Sequence, residues 1–296
     1  MKISAIIPTY NGAEVIGRAV NSVLKQEFND DYEVIVVDDN PPESDARHKT
    51  ELAMDVYSND KRVKYIKHEY NKNGSAARNT GFRHSCGQYI CLLDDDDIFL
   101  PNKFRVQSKY MDEHPEYGAS YTWRYTSNNE IAKCSKTGDL SEEILTLLFA
   151  PATITVMMRR ECYAALNGFD ESFRRHQDFE FHLRFFQKFQ MGVVEEPLSR
   201  TIGGANDNQL HGKDLENLKK YFFQHFAPLI DKVEEKHPGA KKRIYGSHYA
   251  KVFKDHLKYG NPKLALPIAI KATKMCPTTF WSIFFHDICS AIKRRV

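Results

Sequence analysis

Four apolar runs, separated by segments of helical spacing, constrain this chain more than any other feature. Ile3–Ile7 ends at Pro8, Val34-Ile35-Val36-Val37 follows Glu33, Val63-Lys64-Tyr65-Ile66 comes third, and Gln88-Tyr89-Ile90-Cys91-Leu92-Leu93 closes the series. Between the first two, Glu14–Lys25 carries Val15, Ala19, Val20, Val23 and Leu24 at helical intervals. A polar helix is expected over Glu43–Tyr57, and another over Ser75–Ser85 after the Asn73-Gly74 turn. Runs rich in β-branched residues belong in strands buried on both faces. The β-α-β-α-β-α-β order with short connections predicts an α/β fold with a mostly parallel sheet and right-handed crossovers.

The last of these strands runs straight into Asp94-Asp95-Asp96-Asp97. Open α/β sheets bind their ligands at the carboxyl ends of their strands. Four adjacent carboxylates repel one another unless a cation compensates, so a metal-dependent, phosphate-handling site is the first hypothesis. Standing alone, such a run is more often a solvated loop. A calcium loop counted from Asp94 fails, because the positions that need Gly and Glu hold Phe99 and Arg105.

Beyond Pro101 a helix to about His114 is expected, then strands near Gly118–Thr126 and Thr153–Met158 flanking a helix around Ser141–Phe149. Gly168–Glu171 reads as a turn, and Asp178–Gln190 as an amphipathic helix carrying Phe181, Phe185, Phe186 and Phe189. After about Leu210 the pattern is wholly helical, with breaks at Pro238-Gly239, Gly260-Asn261-Pro262 and Pro277. The expected organisation is therefore a nucleotide-binding domain over residues 1–210 and a helical region over 211–296.

Charge follows the same division. Residues 213–296 hold 17 Lys/Arg against 7 Asp/Glu, whereas the rest of the chain is net acidic. A basic tail suits an anionic partner. Trp281, Phe284, Phe285, Ile288 and Ile292 share a helical face before Lys293-Arg294-Arg295, which fits peripheral contact with an anionic membrane, packing against neighbouring helices, or a homodimer. No nucleic-acid partner is expected. No apolar stretch approaches the roughly 20 residues that span a bilayer, and the N-terminus lacks a secretory pattern. Six cysteines without a Cys-x-x-Cys pair suggest reduced thiols and a cytoplasmic protein, at most peripheral on the inner membrane face.

Three further junctions carry chemistry. Pro8-Thr9-Tyr10-Asn11-Gly12 joins the first strand to the first helix, where backbone amides can meet an anion. Asp38-Asp39-Asn40 ends the second strand, where a carboxylate can accept a pyrimidine imide N–H or simply serve as a cap. Asn71–Gly81 supplies small residues and one guanidinium, Arg78.

Together with the Asp94 run, Gly168-Phe169-Asp170-Glu171 and Gln177-Asp178, these segments resemble the family 2 glycosyltransferases, inverting enzymes of the type A nucleotide-sugar (GT-A) fold. The motifs occur in order over about 200 residues, and the chain after Leu210 is less well covered. The resemblance implies that Pro8, Thr9, Tyr10, Asp39 and Arg78, with Asn71 or Asn73 in addition, hold the uridine of a UDP-sugar, and that Asp94 and Asp95 make ribose, metal-water or base-side contacts. It implies that Asp96 ligates Mn²⁺ or Mg²⁺, with His211 as a second candidate, and that Asp178 is the general base. The family pattern before the base is Glu-Asp, whereas this chain has Gln177-Asp178. The implied reaction moves a hexose to a glycan or lipid-linked acceptor in bacterial surface polysaccharide synthesis. A sugar-phosphate nucleotidyltransferase is the rival, but Pro8–Gly12 lacks the glycine-rich loop with Arg and Lys which that reaction ordinarily uses. A non-catalytic nucleotide- or carbohydrate-binding protein is the other alternative.

Overall fold

The computed structural model describes residues 1–173, 175–203, 210–259 and 262–293, with side chains as far as Phe285 in the last helix. Two compact units divide it: residues 1–140 with 151–205, and residues 141–150 with 206–296. The segment 141–150 thus groups with the C-terminal helices, although it precedes the border read from the sequence.

The first unit begins as its hydrophobic pattern dictates. Strand β1 (Ile3–Thr9) and strand β2 (Tyr32–Asp38) are buried almost throughout, flanking helix α1 (Ile16–Leu24), which turns Ile16, Ala19, Val20 and Val23 inward. Helix α2 (Asp45–Asp55) starts at Ser44, whose Oγ accepts from the Arg47 amide at 3.1 Å. Strand β3 (Val63–Lys67) precedes helix α3 (Gly74–Arg83), which starts at Asn73, its Oδ1 accepting from the amides of Ser75 and Ala76. Gly81 lets α3 settle on β1, since a Cβ there would overlap the Ile6 side chain. Strand β4 (Tyr89–Leu92) completes a parallel set ordered β3-β2-β1-β4. All four carboxyl ends therefore open on one edge.

The rest of the sheet is mixed in direction. Strand β5 (Ile98–Phe99) and helix α4 (Lys103–Glu113) lead to β6 (Ala119–Tyr125) and the short β7 (Ile131–Ala132). Thr153–Thr155 forms one 3-10 turn rather than the start of a strand, and β8 (Met157–Arg159) follows it, antiparallel to both β4 and β6. Helix α6 (Arg160–Ala165; α5 belongs to the second unit, below) leads to helix α7 (Gln177–Phe186) and strand β9 (Met191–Arg200), which is parallel to β6. The full order is β3-β2-β1-β4-β8-β6-β9-β5, with β7 beside β6.

The second unit joins helix α5 (Ser141–Leu145) to α8 (Gly212–His225), α9 (Ala227–Lys236), α10 (Ala240–Tyr259), α11 (Pro262–Met275) and α12 (Pro277–Lys293). Its core includes Leu215, Tyr249, Val252, Ala272, Cys276 and Phe280. His248 Nε2 lies 2.9 Å from the Leu145 carbonyl, which ties α10 to α5. Trp281 and Phe284 pack edge-on against Phe253, and Phe285 is exposed. The side chains of Ile288, Ile292 and Lys293, the residues Arg294 and Arg295, and the break at Gly260-Asn261 lie outside the described residues. Among the described residues no helix is long and apolar enough to cross a membrane, and five cysteines are unpaired thiols.

Candidate active site

Pro8–Gly12, Asp38–Asn40, Asn71–Gly74 and Asp94–Asp97 all sit at or follow the carboxyl ends of parallel strands, and the rest of the third motif runs along α3. Thr9 closes β1 in a buried position and its Oγ1 donates to Asp95 Oδ2 at 2.6 Å. Gly12 must be small here, because a Cβ would run into both Asp95 Oδ2 and Thr9 Oγ1. Tyr10, next along, stands 53% exposed at the rim. This couples the first motif to the acidic run across 86 residues of sequence.

Asp38 and Asp39, adjacent in sequence, have different work. Asp38 is fully buried, accepts from the Asn40 amide and side chain and from the Tyr65 hydroxyl, and pairs with Arg47 Nε at 3.0 Å. The Arg47 guanidinium also donates to the carbonyls of Asp38, Asn40 and His68, knotting the ends of β2 and β3 together. Asp39 accepts from the amides of Lys72 and Asn73 at 2.8 Å each, and its Oδ1 lies 2.7 Å from His68 Nδ1. His68 Nε2 meets Thr80 Oγ1 at 2.9 Å, and that hydroxyl in turn accepts from Arg83. A neutral imidazole with its proton on Nδ1, accepting the Thr80 proton at Nε2, satisfies every partner in this chain. Asn71 reaches the Asp39 carbonyl at 3.3 Å. No motif flags His68 or Arg47 in the sequence; only the folded chain brings them to Asp39 and Asp38.

The acidic run is crowded, as its sequence implies. Burial, then the neighbouring Asp96 and Asp94, push the Asp95 carboxyl up to about 6. Burial and Asp94 also raise Asp96, whose carbonyl accepts from Arg18 at 2.7 Å. Burial lifts Asp97 to about 7, although its Oδ1 accepts the Ile202 amide at 2.8 Å. Gly203 sits so close to the Asp96 carboxylate that any side chain there would displace it. Among the described residues no three His, Cys, Asp or Glu side chains are grouped so as to hold a metal ion by themselves. An open edge of mutually repelling carboxylates instead fits a hard divalent cation that keeps water and substrate phosphate in its remaining positions.

Arg78 links this edge to the far wall. Its Nη2 donates to Asp94 Oδ1 at 2.8 Å and its Nη1 to Gln177 Oε1 at 3.1 Å. A cleft of about 270 Å³ opens there, lined by Arg78, Asp94, Thr153, Phe169, Arg175, His176, Gln177 and Asp178. His176 adopts a left-handed conformation (φ 55°), which turns the chain sharply into α7. The Asp178 carboxylate accepts from its own amide and that of Phe179, yet burial dominates and raises its pKa. The turn Gly168–Glu171 supports this wall: Asn79 Nδ2 donates to the Phe169 carbonyl and to Glu171, both at 2.9 Å. The structure thus brings Asp94, Arg78 and Asp178 to one cleft. His211 is placed in the second unit, its Nδ1 2.7 Å from Asp255 Oδ1 and its ring against Tyr259. The Gly/Asn-rich loop before it, residues 204–209, lies outside the described residues.

Comparison with known proteins points the same way. The model of "Glycosyl transferase family 2" matches residues 4–166, more than half of the chain, ending 12 residues short of Asp178. An uncharacterized glycosyltransferase of Rickettsia conorii is 29% identical over 249 residues, covering 77% of this chain but 39% of that protein, so the chain spans about two fifths of that relative. The Escherichia coli UDP-Glc:alpha-D-GlcNAc-diphosphoundecaprenol beta-1,3-glucosyltransferase WfgD is 36% identical over 109 residues, 37% of this chain and 40% of that one. Among solved structures, S. aureus TarS 1-349 in complex with UDP-GlcNAc superposes with a TM-score of 0.62 at 19% identity, over 96% of this chain and 91% of that chain. The mannosyltransferase PcManGT of Pyrobaculum calidifontis, in complex with GDP-Man and Mn2+, gives 0.60 at 17% identity, over 99% and 86%. At these identities the structural likeness shows the GT-A fold alone. The family match, set on a sheet edge that joins Thr9, Asp39 and the Asp94 run, makes this chain a member of glycosyl transferase family 2.

Proposed function

We propose that this glycosyltransferase moves a hexose from a UDP-sugar, with inversion, to a hydroxyl of a glycan or lipid-linked acceptor during synthesis of a bacterial surface polysaccharide. The observation that carries the reading is Arg78, which spans from Asp94 at the nucleotide edge to Gln177 beside Asp178 within one cleft. The name of the WfgD relative, which specifies UDP-Glc and a diphosphoundecaprenol-linked acceptor, supports the choice of donor and acceptor.

Roles then follow from position. Pro8, Thr9, Tyr10 and Asn71 flank the base and ribose, and Asp39, held rigid by His68 and two amides, accepts the uracil imide N–H. Asp96 would hold a Mn²⁺ or Mg²⁺ ion, with Asp94 and Asp95 beside it. Such an ion, when bound, supplies charge stabilisation for the departing diphosphate, on the order of several kcal/mol. The acceptor oxygen forms its bond to the anomeric carbon as the bond from that carbon to the phosphate oxygen breaks. The electron pair leaves on UDP and the hydroxyl proton passes to Asp178, whose raised pKa makes it a stronger base than an ordinary carboxylate. Attack opposite the leaving group inverts the centre, so an α-linked donor gives a β-glycoside.

Thermal unfolding with a panel of UDP-hexoses and GDP-mannose, each with and without Mn²⁺, tests this. A rise in melting temperature with one UDP-hexose, enlarged by Mn²⁺, is expected; a panel in which no nucleotide sugar shifts the transition defeats the reading.

A further inference from the structure

The nucleotide edge holds one buried side chain that the transfer reaction leaves unused. His68 follows β3, is 5% exposed, and is fixed by its own backbone: its amide donates to the Asp38 carbonyl at 2.9 Å and its carbonyl accepts from Arg47 Nη2 at 2.8 Å. The ring is held at both ends as well, with Nδ1 2.7 Å from Asp39 Oδ1 and Nε2 2.9 Å from Thr80 Oγ1. The Thr80 hydroxyl accepts from Arg83 at 2.8 Å, so its own proton goes to Nε2. That leaves the ring proton on Nδ1, facing Asp39.

This arrangement limits what Asp39 can offer a ligand. A carboxylate has about four acceptor sites. Two on Oδ1 are taken by His68 Nδ1 and the Lys72 amide, and one on Oδ2 by the Asn73 amide. Among the described residues no other group donates to this carboxylate, so one site is open, on Oδ2, and it can only accept. Lys72 and Asn73 contribute backbone amides, which any residue but proline would supply. Among the described residues His68 is the one side chain that holds Asp39.

We infer that His68 is the positioning residue for base selection: its Nδ1 proton keeps Asp39 a fixed acceptor, so the edge takes a base with a ring N–H at that point and refuses one with a bare ring nitrogen. This rests on the transferase reading above and deepens its donor half. Uracil presents such an N–H. Cytosine presents a lone pair there, and two lone pairs facing each other in a buried site cost affinity. Without the imidazole, Oδ1 loses a donor and the carboxylate can turn to follow the exocyclic amino group of cytosine.

Calorimetric titration of the full chain with UDP and with CDP, each in the presence of Mn²⁺, tests this. The parent is expected to bind UDP at least about tenfold tighter than CDP. His68→Gln, whose amide reaches toward Thr80 in place of Nε2, should bring that ratio below about threefold. His68→Asn, whose amide nitrogen takes the place of Nδ1, should keep it within about threefold of the parent. A merely structural histidine would weaken both nucleotides together, so an unmoved ratio in His68→Gln overturns the inference. Equal ratios in the two variants, or a parent that binds UDP and CDP alike, overturn it too. Nitrogen-15 spectra of the parent, with the His68 ring assigned against either variant, read the tautomer directly. A proton on Nδ1 is expected; one on Nε2 alone defeats the inference even where His68→Gln does not fold. Failure of UDP itself to bind sinks the transferase reading instead.

Discussion

Acid should weaken this fold through one buried imidazole. His182 lies one helical turn after Asp178, 3% exposed, among Ile90, Leu92, Val156, Met158, Tyr163, Phe169 and Phe181. Its Nδ1 has no hydrogen-bond partner, and burial pushes its pKa down to about 4. In the unfolded chain the same group titrates near 6.5, roughly the free imidazole value. Between those two values the unfolded chain takes up a proton that the folded chain refuses. Stability present above pH 6.5 is therefore lost as pH falls, and this loss is complete near pH 4. At about 1.4 kcal/mol per unit the full effect is about 3 kcal/mol, of which about 2 kcal/mol is gone by pH 5. The carboxyls of Asp95, Asp96, Asp97 and Asp178 have raised values and act in the opposite sense over their own windows. They are common to parent and variant, so they cancel in a difference. His182→Leu keeps the volume and removes the proton site, and should cost less than about 1.5 kcal/mol at pH 7.5. Urea unfolding in a Trp281→Phe background leaves Trp123 as the reporter of the first unit. Between pH 7.5 and 5.0 the parent should lose about 2 kcal/mol more than the His182→Leu variant. Equal losses would refute the argument, since the imidazole would then not be held neutral by the interior.

Four other outcomes follow from the site. Asp178→Asn should leave UDP binding intact and lower transfer by roughly 10²- to 10⁴-fold. Transfer at the parental rate would remove Asp178 from the role of base. Because that base works ionised and its pKa is raised, the acid limb of kcat/KM in the parent should lie above the ordinary carboxylate value of about 4; a limb at or below that value contradicts the assignment. Asp96→Ala should abolish the enhancement of UDP binding by Mn²⁺, read by calorimetry with and without the ion, and an enhancement that survives places the ion elsewhere. Gly12→Ala forces the Thr9–Asp95 contact apart and should weaken UDP at least tenfold without lowering the melting temperature appreciably; unchanged UDP affinity would show that this contact does not shape the nucleotide edge.

Much of the donor half was legible in the chain because each β-branched run had to be buried on both faces, and period 3.6 reappeared between the runs. The Asp94 run announced itself for an equally local reason, the mutual repulsion of its carboxylates. The second half of the sheet was harder. Strand β9 contains Glu195, Glu196 and Pro197, which spoil any strand pattern. It forms anyway because β6 pairs with it through register shifts at Thr122, Trp123 and Tyr125, and Pro197 sits opposite one of them. Helix α5 stops at Leu145, not near Phe149, and Leu147 adopts φ 60°, which ends helical geometry there. Thr153 looked like strand residue but takes the 3-10 turn, where its neighbour Thr155 bonds back to Ala152. His68 was invisible for another reason. Its role comes from lying between Asp39 and Thr80, and no local pattern encodes a partner 29 residues away.

The Arg47 knot has a kinetic consequence. One guanidinium clasps three carbonyls and a carboxylate, so the rim at the ends of β2 and β3 is held in shape by the protein's own groups. An incoming base meets a finished outline and has no soft loop to mould around itself. Capture should then be quick and selective by shape, and a misfit base should be rejected at first encounter, with no slow rearrangement to rescue it.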